Sequence, residues 1–210
     1  MRDSTRKLLA LATPPLSSDN RPFELSSTLG RLGDELSEVL ETVNGFYAFE
    51  SALHVFPTRS TTGAMDLERW NHSELWRSRY RGMADSYLFF AEDIFGGQFA
   101  AKDGTVFSFD PETGEGLPMA SSIDEWASRL LADFEVETGF PLAHDWQVRN
   151  GPILEGFRLL PKTPFVLGGE YEVENLHALE SSKGMRLRAE LAVQIRDLPD
   201  GAMIKYSVTD

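Results

Sequence analysis

Tyr87-Leu-Phe-Phe-Ala-Glu-Asp-Ile-Phe-Gly-Gly-Gln-Phe-Ala-Ala101 places two apolar runs on either side of a Gly-Gly break. The first run, Tyr87 to Ala91, has no polar alternation and reads as a strand buried on both faces. Glu92 to Gly97 is a turn region, and Gln98 to Ala101 is the returning strand. Lys102-Asp103-Gly104 is a second turn. Thr105-Val-Phe-Ser-Phe109 then alternates as a half-buried strand should, and Asp110-Pro-Glu-Thr-Gly114 turns the chain again. Ser122-Ile-Asp-Glu125 has the spacing of a capping box and opens a helix over 123–136. Ile123, Trp126, Leu130, Leu131 and Phe134 form its buried stripe.

Upstream, Leu29, Leu32, Leu36, Val39, Leu40 and Val43 fall on one face of a helix over 29–43. Ser26 or Ser27 caps its start, and Asn44-Gly45 suits its end. Phe46, Phe49 and Leu53 are apolar anchors, and Leu53-His-Val-Phe56 is a short strand stopped by Pro57. A helix over 66–80 turns Leu67, Trp70 and Trp76 inward and Arg69, Arg77, Arg79 and Arg81 outward. Downstream, the pattern predicts a strand at 165–167, a short helix at 171–181, a helix over 185–197 and a last strand at 203–208. Strands joined by short turns and flanked by helices argue an α+β class rather than a doubly wound parallel sheet. The organisation read from this is a loosely ordered lead-in over 1–22, an α+β domain over 23–139, and a C-terminal αβ extension over 140–210 packed on it.

The chain has 210 residues, enough to bury a core without disulfide or metal staples. It has no cysteine, which removes disulfides, thiolate metal sites and thiol nucleophiles. Its net charge is −13, which disfavours unaided binding to nucleic acid or anionic membranes and favours a basic protein partner. The excess is concentrated in residues 34–50, at −5, and residues 85–125, at −8. Leu8 to Ala12 is too short an apolar run for a secretion signal, and no window approaches the ~18 apolar residues of a membrane span. The expected compartment is the cytosol.

Few motifs carry chemistry. Glu174-x-x-His177 occurs once, where a carboxylate di-iron site would need the pair twice. There is no Gly-x-Ser-x-Gly elbow and no phosphate-binding glycine loop. Glu92 and Asp93 are adjacent, so in extended chain they point to opposite faces and cannot easily serve one substrate as paired carboxylates. No catalytic residue, metal or cofactor is expected.

The stretch Tyr87 to Ala101, then Gly104 to Gly114, then Ala120-Ser-Ser-Ile-Asp-Glu-Trp126, resembles the SUKH superfamily of Smi/Knr-type proteins. Val43-Asn-Gly45 and Leu53-His-Val-Phe-Pro57 fit the same pattern. The likeness covers about residues 29–136. Where the family often has Asp after the first turn glycine, this chain has Gly97. The resemblance implies a curved, mostly antiparallel sheet flanked by helices. It also implies a non-catalytic immunity protein that neutralises a polymorphic toxin, often a nuclease or deaminase.

An acidic surface suits that role, because it can dock quickly onto a basic active cleft and occlude it. The candidate partner-binding residues are Glu92, Asp93, Phe95, Asp110 and Glu112, with Phe95 as the aromatic anchor. The alternative is a regulatory or scaffold protein of the same fold that binds an endogenous partner. A small hydrolase is the reading from another class, and it would require convergent reactive groups in a polar pocket.

Overall fold

The computed structural model describes residues 1–19, 25, 29–60, 64–199 and 201–202. The protein has an α+β fold with a six-stranded antiparallel meander in chain order. Its strands are β1 (Phe46–Ala48), β2 (Leu53–Val55), β3 (Leu88–Glu92), β4 (Gln98–Lys102), β5 (Thr105–Phe109) and β6 (Gly116–Ala120). A second, two-stranded sheet pairs β7 (Phe157–Pro161) with β8 (Leu176–Glu180). The helices are α1 (Asp3–Leu9), α2 (Arg31–Thr42), α3 (Leu67–Trp70), α4 (Ile123–Ala132), α5 (Phe134–Thr138), α6 (Phe140–Asn150) and α7 (Ser181–Ile195).

The apolar run of β3 is explained by burial on both sides. Phe90 and Phe99 meet Trp126 of α4 edge-on, with centroids 5.1 and 5.6 Å away. On the opposite face Phe89 packs against Trp76 at 4.9 Å and Phe109 at 5.2 Å. The β4–β5 hairpin closes through Asp103 (φ 47°) and Gly104 (φ 75°). That two-residue turn with both φ positive matches the twist of the flanking strands and selects Asp-Gly.

The predicted cap of α4 is present with one shift. Ser122 Oγ accepts from the Glu125 amide at 3.1 Å, while the Glu125 carboxylate accepts from Ser121 N and Oγ at 2.8 and 2.7 Å. Glu35 of α2 accepts from the Ile123 amide at 2.9 Å. Asp124 receives Thr5 N and Oγ1 of α1 at 2.9 and 3.0 Å.

Several expectations are corrected. The lead-in contains α1, which buries Thr5 and Leu8, the latter 1% exposed in the main core. The helix expected over 66–80 is split into α3 and a 3-10 turn at Arg77–Tyr80. Asn71 ends α3: its amide nitrogen donates to Leu67 O and Phe89 O, and its oxygen accepts from Phe89 N at 2.9 Å. It thereby serves backbone groups of β3 beyond the β2 pairing at His54–Glu92 and Val55–Ala91.

The helix from 123 breaks at Asp133, which ends α4 and starts α5. Phe165–Leu167 is a 3-10 turn rather than a strand, and Leu176–Glu180 is β8 rather than part of a helix. The helix expected from 185 begins at Ser181, because Glu180 caps the amides of Ser182 and Lys183 at 3.0 Å each. β1, β6, α6 and β7 have no counterpart among the elements expected from the sequence. The expected strand at 203–208 and the Ser26/Ser27 cap lie outside the described residues.

The extension shares the main core. Met185, Ala189 and Ala192 of α7 belong to the cluster that holds Trp70, Trp76 and Trp126. A second cluster joins Ala52 and Ile94 to Ala143, Leu159 and Leu176. Among the described residues, no helix is long and apolar enough to cross a membrane. Because the core crosses residue 140, calorimetry is expected to show one unfolding transition, with calorimetric and van't Hoff enthalpies equal. Two resolved transitions would show that the extension folds as a separate unit.

Candidate partner-docking surface

The register Gln98–Phe109 sets the β3–β4 turn beside the β5–β6 turn at one end of the sheet. Each turn is led by an aspartate that bonds its own backbone, the arrangement that favours Asp at turn starts. Asp93 Oδ1 accepts from Phe95 N and Gly97 N, both at 2.8 Å. Asp110 Oδ1 accepts from Glu112 N at 2.8 Å. A Cβ on Gly97 would meet the Asp93 carboxylate and displace it from the two amides it binds, so glycine suits the second position of the pair.

Residues 162–175, which link β7 to β8, lie over both turns. Phe165 and Tyr171 stack at 3.9 Å, and Phe95 meets them edge-on at 5.4 and 6.2 Å. Glu112 Oε2 accepts from Val166 N at 2.8 Å. From below, α7 contributes Arg188, which is 5% exposed and donates to Phe95 O. The result is a concavity of about 370 Å³ whose wall includes Asp93, Asp110, Glu112, Phe95, Tyr171 and Arg188.

Burial pushes the Asp93 carboxyl up to about 7, against the pull of the two backbone amides and Arg188. Burial also raises Glu112, opposed by the Val166 amide and Arg188. Both carboxylates are therefore held where ionisation costs free energy.

Four of the five residues singled out from sequence, Asp93, Phe95, Asp110 and Glu112, come together here. They differ in access. Asp110 is exposed, Asp93 is half-buried, and Glu112 is 4% exposed with its carboxylate holding the overlying loop. Phe95 is covered by Phe165, so it is not a free anchor.

Glu92 lies elsewhere and is corrected as a surface residue: it is 1% exposed. Its Oε1 lies 3.0 Å from Arg158 Nε and 3.1 Å from His54 Nδ1, and Ser181 Oγ donates to it at 3.4 Å. Gln98 Nε2 donates to Oε2 at 3.4 Å. Burial drives the Glu92 carboxyl upward, but Arg158 and the bonds from His54 and Gln98 outweigh it and hold the carboxyl below its ordinary range. Burial lowers the His54 imidazole, so the ring is neutral and its Nδ1–H donates to the carboxylate. Ser181 and His54 both address Glu92 rather than each other.

Sequence reasoning missed Arg158, Phe165, Tyr171 and Arg188. The signals were present. Arg158 is a lone cation in the apolar run Phe157-Arg-Leu-Leu-Pro161, which marks a buried pair. Tyr171 stands between Glu170 and Glu172 just after Gly168-Gly169, which marks an exposed aromatic on a turn. Among the described residues, no group of three His, Cys, Asp or Glu side chains is placed to hold a metal ion.

No family model matches the chain, and no curated protein matches it. Among solved structures, the fold is similar to the crystal structure of Atu4351 from Agrobacterium tumefaciens. The TM-score is 0.59 at 12% identity, over 90% of this chain and 89% of that one. At that identity the likeness is one of fold.

Two outcomes follow from the buried carboxylates. Glu92→Gln leaves Arg158 buried without a counter-charge and is expected to destabilise the fold by about 3–5 kcal/mol, read from urea denaturation at pH 7. A loss below about 1 kcal/mol would show that Arg158 finds another anion. For Asp93, the folded pKa near 7 exceeds its ordinary 3.8, so the folded state holds the proton more tightly between those values. Stability is then expected to fall as pH rises from about 4 to 7. Asp93→Asn keeps the acceptor oxygen and is expected to flatten that decline, with its advantage over the wild type present at pH 8 and absent at pH 4. Parallel stability curves for the two proteins would contradict this.

Proposed function

We propose that this chain is an immunity protein that binds a toxin domain with a basic active cleft, a nuclease or a deaminase, and blocks that cleft. Its place of action is the cytosol of the cell that makes it. The resemblance of residues 29–136 to the SUKH superfamily supports the reading.

The observation that carries it is the convergence of two acidic turns and an exposed aromatic at one end of the sheet. Asp110 and Glu115 are exposed on one turn, and Tyr171 is 66% exposed above it. Negative charge of this kind steers a basic protein into contact, and a central aromatic supplies the short-range energy. A net charge of −13 extends the attraction to the whole molecule.

The test is co-expression with the product of the neighbouring gene, expressed at a level that is toxic on its own. Cells are expected to survive with the wild-type chain, and survival no better than with an empty vector would remove the reading. With the purified pair, the double reversal Asp110→Lys and Glu115→Lys is expected to slow association roughly tenfold at low salt and to flatten its salt dependence. Both side chains are exposed, but Asp110→Lys also removes the acceptor of the Glu112 amide, so a modest fall in melting temperature is expected. Asp110→Asn with Glu115→Lys keeps that acceptor and is expected to hold the melting temperature. An unchanged salt slope would place the contact on another face.

A further inference from the structure

The 162–175 loop is fourteen residues long, between Pro161 of β7 and Leu176 of β8. Hairpin loops of roughly two to five residues are usual, and longer ones are commonly functional. This one is braced along its length. Asn175 Oδ1 accepts from Thr163 N at 2.8 Å, and its Nδ2 donates to Thr163 O and Glu170 O at 3.0 Å each. Lys162 N donates to Asn175 O at 2.6 Å, and Gly169 N to Pro164 O at 3.0 Å. A Cβ on Gly169 would collide with Thr163 O, so the loop is folded tightly on itself. Glu112 then ties Val166 to the main sheet.

This bracing holds an aromatic ring in water. Tyr171 is stacked on Phe165 on one face, interplanar angle 3°, and is still 66% exposed. Val166 beside it is 42% exposed. A ring fixed in place before contact loses little entropy on binding, which is how aromatic residues become strong contact points. The surroundings set the chemistry of what it meets. Glu170 and Glu172 flank it, and Asp110 and Glu112 line the concavity below. Partial burial, then the charges of Glu112, Asp110 and Asp93, raise the Tyr171 phenol. A cation over the ring would be attracted by its π face and by these carboxylates together.

We propose that the 162–175 loop is the contact element of this protein, and that Tyr171 at its tip stacks against a lysine or arginine side chain on a basic partner protein. The identity of that partner rests on the immunity reading above. A second copy of this chain is a poor occupant, because the same acidic face would meet itself.

The probe is the purified product of the neighbouring gene, titrated calorimetrically with wild type, Tyr171→Phe and Tyr171→Leu. Tyr171→Phe keeps the π face and is expected to bind within about threefold of wild type. Tyr171→Leu keeps apolar bulk without the π face and is expected to lose roughly thirtyfold or more, with its circular dichroism unchanged. Wild-type binding with Tyr171→Leu within about twofold would overturn the loop as contact element and leave the immunity reading standing. Failure of the wild type to bind would remove that reading and this inference with it. A homodimer in sedimentation that Tyr171→Leu dissolves would make a second copy the occupant and overturn the proposal.

Discussion

Glu92 and Arg158 meet at 3.0 Å with each side chain 1% exposed, and this pair joins the main sheet to the C-terminal extension. The surrounding groups come from four more places: His54 from β2, Gln98 from β4, Ser181 from α7, and Trp70, whose Nε1 donates to Gln98 at 2.8 Å. Such a pair gains little over well-packed apolar residues, because both ions lose their water. Its worth here is positional. A buried carboxylate tolerates very few placements of β7 against β3, since a displaced β7 would leave two charges stranded. The backbone bond from Leu159 N to Ile94 O, 2.8 Å, lies one residue from Arg158 and is held in the same register. The loop that follows β7 is thereby delivered onto the two acidic turns.

The sequence Glu92-Asp93 divides the work between neighbouring residues. One carboxylate faces inward and holds the extension. The next faces the turn and shapes the concavity, as successive side chains of an extended chain must. The wall of the concavity and the internal ion pair therefore draw on two adjacent residues of chain. Arg188 reinforces the coupling, because it reaches from α7 to the carbonyl of Phe95 inside that turn. A change in how α7 packs would be felt at the turn directly.

What could be read from sequence was what depends on near neighbours. The β3–β4–β5 meander was legible because apolar runs, the Asp103-Gly104 turn and Ser122 each act within a few residues. Glu92 was misplaced because its burial depends on Arg158, far along the chain. The split at Asn71 was hidden for the same reason, since its partners Phe89 N and O sit on a distant strand. Leu176–Glu180 became a strand only because β7 lies alongside it. Tyr171 shows the limit on the site side. Its acidic flanks were visible, but the Phe165 stack and the Asn175 brace that make it rigid were not.

Formal charge also overstates how the acidic segment 85–125 meets the outside. Glu92 is cancelled by Arg158, and Asp93, raised to about 7, is ionised only in part near neutrality. Glu112 is raised as well and turned toward Val166. The field over the concavity must then come from exposed groups. Asp110 and Glu115 supply it from one segment, and Glu170 and Glu172 from the 162–175 loop, which is itself net acidic. Folding brings these together by laying the loop over the turns. The acidic face is thus a product of the tertiary contact that Glu92 enforces, so the buried charge and the exposed ones act in series. The first positions the loop, and the rest give the face its negative charge.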